Sequence, residues 1–202
     1  MLIDTHTHTN LDDFKDDYDA VIKRALEADI WLINVGTDMR SSEKATEIAH
    51  KYAEGVYAAC GLHPNDIHDD FDFSLLEKFA MDEKVVGIGE AGLDYFRTVE
   101  EEKKVKQIDF FMKHIEAAKK LDKALIVHCR DAHDDAVKIL KANAEGVRGV
   151  IHFFTGTLEH AKRYIDLGFH ISFSGVITFA RDYDEVIKYV PLDRMLVETD
   201  AP

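Results

Sequence analysis

The sequence predicts an α/β protein folded as a TIM-type (β/α)8 barrel that lacks its last outer helix. Three observations carry this expectation. Short apolar runs alternate with helix-period segments along all 202 residues, and parallel strands need crossovers of that kind. Hydrophobic residues make up 46% of the chain, enough for one substantial core at a length near the lower limit of a full barrel. Several runs end in His, Glu or Asp, and the C-terminal ends of the strands are where barrels of this type carry their active sites.

Eight candidate strands can be counted: Leu2–His8, Ile30–Gly36, Val56–Pro64, Val85–Leu93, Ala124–Arg130, Gly149–Thr155, His170–Gly175 and Met195–Asp200. Between them, Tyr18, Val21, Ile22, Ala25 and Leu26 recur at helical spacing, as do Val105, Ile108, Met112 and Ile115 within the stretch from Glu100 to Leu121. Ser74 with Glu77 three residues later is a capping-box pattern that starts another helix. The acidic cluster from Asp12 to Asp19 reads as a solvated loop and helix start. No repeat, low-complexity tract or linker interrupts the chain, so residues 1–202 are expected to be one domain, C-terminally shortened. With no helix after the eighth strand, Leu196 and its neighbours are expected to need cover from a partner, another subunit or an earlier helix.

The formal charge of −14 excludes a broad basic face for clamping DNA; affinity for a polyanion would have to come from a local site or a bound cation. Cys60 and Cys129 sit in apolar runs and read as buried thiols in a reducing, cytoplasmic setting. The N-terminus has no basic segment before an apolar one, and no apolar run approaches the ~18 residues that span a bilayer. The chain is therefore expected to be soluble and untargeted, with no membrane association and no obligate protein partner.

The chemistry lies at the strand ends. In Asp4-Thr5-His6-Thr7-His8, strand alternation sends His6 and His8 to one side, half of a metal site. Val85-Val86-Gly87-Ile88-Gly89 runs apolar into Glu90, whose buried charge calls for a cation. His128 and His152 each follow an apolar strand, and Asp200 closes the eighth. Six ligands exceed the needs of one tetrahedral ion, and a carboxylate can bridge two ions about 3.5–4 Å apart. The expectation is a binuclear site with hydrolysis as the reaction class and Glu90 and Asp200 as its working carboxylates. Arg130 shares the parity of His128 and suits a phosphate, or else pairs with Asp131 or Asp134. His63, in Gly61-Leu62-His63-Pro64, either donates to a substrate oxygen or bonds a neighbouring loop. His50, His68, His114, His160 and His170 read as structural, and His133 stays open.

Six blocks in order resemble the TatD-type metal-dependent deoxyribonucleases of the amidohydrolase-like barrels. They are Asp4-Thr5-His6-Thr7-His8, Gly61-Leu62-His63-Pro64, Gly87-Ile88-Gly89-Glu90-Ala91-Gly92-Leu93-Asp94-Tyr95, His128-Cys129-Arg130-Asp131-Ala132, His152-Phe153-Phe154-Thr155-Gly156 and Glu198-Thr199-Asp200-Ala201-Pro202. The resemblance implies two divalent ions (Mg, Mn or Zn), with His6, His8 and Asp200 on one, His128 and His152 on the other, and Glu90 bridging. It also implies that His63 and Arg130 hold a DNA phosphate, that DNA ends or short single-stranded DNA are the substrate, and that the family continues beyond the motif ending at Pro202. Two other readings stand beside it. A small-molecule amide or lactone hydrolase fits the acidic charge, although Glu90 occupies the place of the carbamylated lysine such enzymes often use. A non-catalytic scaffold would be expected to have lost a ligand.

Overall fold

The computed structural model describes residues 1–202. Each predicted apolar run forms a strand: β1 Leu2–Thr7, β2 Ile30–Val35, β3 Val56–Cys60, β4 Val85–Asp94, β5 Ala124–Arg130, β6 Gly149–Ile151, β7 His170–Phe173 and β8 Met195–Val197. Seven α-helices cross between them: α1 Tyr18–Glu27, α2 Met39–Ala49, α3 Phe73–Ala80, α4 Glu101–Leu121, α5 His133–Asn143, α6 Leu158–Asp166 and α7 Asp184–Tyr189. Every strand is parallel to its sequence neighbour, in the order β1 to β8, the arrangement that successive βα units produce.

Closure of the barrel falls to residues just past β8. Asp200 N–H donates to the His6 carbonyl at 2.9 Å and His8 N–H to the Ala201 carbonyl at 2.8 Å. Asp4 accepts from the Thr199 backbone N–H at 3.0 Å and from its hydroxyl at 2.7 Å. The segment after β8 is thereby tied to β1 beside the residues that matter most.

Inside the barrel, Val35, Ala59, Ile126 and Val150 pack with Ile33 and Leu196. Ile126, Val150 and Leu196 stand two residues before His128, His152 and Glu198, so an apolar layer floors the polar one. Leu196 thus faces the lumen and needs no outer cover, contrary to expectation. The neighbour of Leu196 on the opposite face of this strand, Val197, is 48% exposed. A larger apolar shell between strands and helices includes Ile22, Phe111, Ile115, Leu140, Ile151 and Phe169.

Several strands end earlier than their apolar runs: β3 at Cys60, β6 at Ile151 and β8 at Val197. The left-handed φ of Phe153 (41°) and Asp200 (53°) turns the chain out of the extended state, and the next backbone groups bond other loops, as His63 N–H does to the Thr37 carbonyl at 2.8 Å. His63, His152 and Asp200 therefore stand on βα loops. In β4, Gly89 and Gly92 take φ of 137° and 150°, and a Cβ on Gly92 would lie 2.0 Å from the His128 carbonyl oxygen. These glycines let β4 press against β5 on either side of Glu90.

Two helical details differ from expectation. Asp72, not Ser74, caps α3, accepting from the backbone N–H groups of Ser74 and Leu75 at 2.8 and 3.3 Å. On α4 the buried face is Gln107, Phe110, Phe111, His114, Ile115, Ala117 and Ala118, while Val105 is 64% exposed. The apolar period meets this face at Ile115 and misses it at Val105 and Met112, because the face contains two buried polar residues, each bonded to the loops above the barrel. Asp72→Ala is expected to lower the unfolding free energy by about 1 kcal/mol in urea titrations, and Ser74→Ala by less than half as much.

Candidate metal centre

His6 and His8 converge from β1 with their Nε2 atoms 3.1 Å apart. His8 Nδ1–H donates to the Val35 carbonyl at 2.8 Å, which leaves Nε2 of the neutral ring as a bare lone pair. Glu90 Oε2 lies 3.4 and 3.6 Å from the two Nε2 atoms. Asp200 Oδ1 lies 3.5 Å from each. Donors at these separations stand close to the edges of a tetrahedron with arms of about 2.1 Å, the length of zinc–nitrogen bonds.

A second group gathers on the other oxygen of the same carboxylate. Glu90 Oε1 is 2.7 Å from His128 Nδ1 and 2.8 Å from His152 Nε2, and those two nitrogens are 3.3 Å apart. His63 Nε2 approaches the same oxygen at 3.5 Å. All six residues expected as ligands, together with His63, thus meet around one carboxylate. Their lone pairs face one another in a nearly dry site, so a proton or a metal cation must lie among them. The donor set of imidazoles and carboxylates fits divalent zinc, manganese or iron.

The electrostatics agree. Burial works against ionised Glu90, yet His152, His128 and His6 outweigh it and hold the carboxyl well below the ordinary glutamate value. Burial likewise opposes charge on His152, but Glu90 and Glu198 raise it well above the usual imidazole range. His63, with weaker compensation, is pushed down by burial to about 4; neutral, it accepts the Asn65 N–H on Nδ1 at 3.2 Å and so carries its proton on Nε2.

Supporting residues missed at the sequence level surround this cluster. His128 turns Nδ1 inward because its Nε2 lies 3.3 Å from Asp94 Oδ2. Asp94 is itself held by Asn65 Nδ2 at 2.9 Å and the Arg97 backbone N–H at 2.8 Å. Gln107, buried on α4, accepts from the Asp94 N–H at 3.0 Å and donates to the Pro64 carbonyl at 3.1 Å and the Thr98 hydroxyl at 2.9 Å. Glu198 stands behind His152, 3.6 Å from its Nδ1. Both acids were visible, Asp94 ending an apolar run and Glu198 two residues before Asp200, but parity alone does not tell a ligand from its support.

The cluster floors an open pocket of about 590 Å³ lined also by Thr37, Asp66, Arg97, Arg130, Phe153 and Thr155. Arg130 pairs with neither Asp131 nor Asp134; its guanidinium lies over the Phe96 ring, 3.8 Å from the centroid, while Asp134 bonds Arg163. His133 is outside the pocket, stacked on His160 at 4.9 Å and 3.1 Å from the Tyr164 hydroxyl. His114 is structural: it accepts the Leu62 N–H at 3.1 Å and donates to the Phe110 carbonyl at 2.7 Å, bracing the loop that carries His63. Cys60 and Cys129 are buried and free, and no helix is long and apolar enough to cross a membrane.

A parallel eight-stranded barrel with a histidine–carboxylate cluster at the C-terminal ends of its strands is the architecture of a metal-dependent hydrolase. The family model described as TatD related DNase matches residues 3–202, and the chain belongs to the TatD family. It is 38% identical to the uncharacterized metal-dependent hydrolase YcfH of Escherichia coli K12, over 100% of this chain and 78% of that protein. It is 33% identical to the 3′-5′ ssDNA/RNA exonuclease TatD of Erwinia billingiae, over 94% of this chain and 74% of that one. The crystal structure of YjjV, a TatD homologue from Escherichia coli K12, superposes with a TM-score of 0.89 at 32% identity, covering 100% of this chain and 79% of that one.

Two outcomes are expected. Asp94→Asn should weaken Mn or Zn binding 10- to 100-fold by calorimetry while the fold stays intact by circular dichroism, because the His128 ring loses its fixed tautomer. Burial holds His114 at about 4 in the folded chain, against about 6.5 when unfolded. As pH falls below 6.5 the unfolded state therefore takes up a proton that the folded state refuses, and stability drops. Between pH 6.5 and 5 this costs about 2 kcal/mol, so urea titrations should show the wild type losing that much more stability than His114→Gln.

Proposed function

We propose that this chain is a phosphodiesterase that hydrolyses DNA from single-stranded ends, using two divalent ions. His6, His8 and Asp200 would hold one ion, His128 and His152 the other, and Glu90 would bridge them. One observation carries this reading. The two oxygens of Glu90 serve different donor sets, Oε2 facing His6 and His8 at 3.4 and 3.6 Å and Oε1 facing His128 and His152 at 2.7 and 2.8 Å. The name of the Erwinia relative supports the choice of substrate.

Divalent ions in such a site acidify water and neutralise charge building on a phosphoryl group. The chain's own groups do the rest. Asp200, the most accessible of the clustered carboxylates with its side chain 28% exposed, opens toward the pocket and is placed to take the proton of the attacking water. His63 is neutral at physiological pH and presents Nε2–H, a donor for a phosphoryl oxygen. Arg130, free of any acid partner, supplies a planar pair of donors to the phosphate. Together these groups favour an anionic ester over a neutral amide or lactone, and no lysine lines the pocket. Two free buried cysteines suit the reducing, cytoplasmic setting attached to this reading.

The deciding experiment incubates metal-loaded protein with short single-stranded DNA of defined ends, beside amide and lactone substrates. Progressive shortening of the DNA from one end in magnesium or manganese is the expected result. Intact DNA with a lactone cleaved would overturn it in favour of the small-molecule reading. Glu90→Gln should reduce turnover below detection and weaken metal binding, and full activity in that variant would exclude a bridging role.

A further inference from the structure

The pocket mouth carries side chains that stand outside the metal cluster. Arg97 and Arg130 both line it, and neither makes an ion pair or a side-chain hydrogen bond, whereas Arg40, Arg148, Arg163 and Arg181 each pair with an aspartate. In a chain of net charge −14, two guanidinium groups without an ion-pair partner thus gather beside one pocket. Asp66 shares the pocket lining and feels the charge of Arg97 without forming an ion pair with it, and Asp94 is committed to His128 and Asn65.

Beneath the Arg130 guanidinium and next to Arg97 in sequence stands Phe96. Its ring is 58% exposed and takes no part in either apolar cluster of the core, so packing does not account for it. One face is covered by the Arg130 guanidinium, 3.8 Å from the ring centroid. No other aromatic ring or cation lies on it. A flat apolar surface with an unpaired guanidinium on one face and a second arginine next to it in sequence is complementary to a ligand that joins an anion to a planar ring. Nucleobases stack on aromatic side chains with little regard to sequence, and guanidinium groups hold phosphates.

We infer that Phe96, Arg97 and Arg130 form a nucleotide subsite at the pocket mouth, with Phe96 stacking one base and the arginines holding the adjoining phosphates. This rests on the nuclease reading and deepens it: the substrate would be recognised as a nucleotide with an unstacked base, so a single-stranded end fits and a base-paired one does not. The stack also explains why the ring stays in solvent, since Arg130 on one face orients it while the other remains open.

The test separates the subsite from the cleavage activity. Binding of thymidine 5′-monophosphate and of deoxyribose 5-phosphate to the metal-loaded protein would be measured by calorimetry. The nucleotide should bind about tenfold more tightly, the worth of one base–aromatic stack. Phe96→Ala should abolish that preference while sugar-phosphate affinity and metal binding stay unchanged. Phe96→Trp should retain the preference, and Arg130→Gln should weaken both ligands together. Equal affinity of the two ligands for the wild type, or a preference that survives Phe96→Ala, would overturn the subsite whether or not DNA is cut. A base preference in a protein that leaves single-stranded DNA intact would instead retain the nucleotide subsite and refute the nuclease reading.

Discussion

The structure depends on one buried carboxylate shared between two sets of imidazoles. Glu90 is almost wholly removed from water, and its charge would be prohibitive there without compensation on both oxygens. Compensation comes from four histidines on three other segments of the barrel, so the carboxylate holds in register strands that are far apart in the chain. Two glycines flanking it in β4 let the neighbouring strand approach closely enough for His128 to reach Oε1.

Around this centre the polar groups are arranged in depth. Val35 orients His8, Asp94 orients His128, and Glu198 backs His152. Asp94 is in turn fixed by Asn65 and by the Gln107 amide on α4. The loops after β3 and β4 and the end of β5 are therefore tied together by hydrogen bonds, which is what a preorganised site requires, since misplacement of a ligand by even an ångström weakens it. Asp200 is held differently: its position depends on backbone bonds to β1 that also close the barrel, so closure of the fold and completion of the site are one event.

Charge is distributed with the same division of labour. The surface is strongly acidic and half of its eight arginines pair with aspartates, while the mouth of the pocket keeps Arg97 and Arg130 without ion pairs. An anionic substrate would meet a repulsive mean field and a small attractive entrance, so selection would depend on local contacts, not on long-range steering.

The sequence by itself determined the eight strands, the barrel they form, three of the helices between them, and the six residues that meet at the strands' C-terminal ends. Alternating apolar runs encode strands, and a polar group placed just after such a run has only the barrel mouth to occupy. Other features were decided only by the tertiary structure. Leu196 faces the lumen, Asp72 caps α3, and the buried stripe of α4 includes Gln107 and His114, because burial of a polar residue is settled by partners distant in the chain. The roles of Asp94 and Glu198 behind the histidines, and the stacking of Arg130 on Phe96, were equally unreadable. The split of Glu90 between two donor sets was implied only by resemblance, since spacing along the chain does not say which oxygen faces which ring.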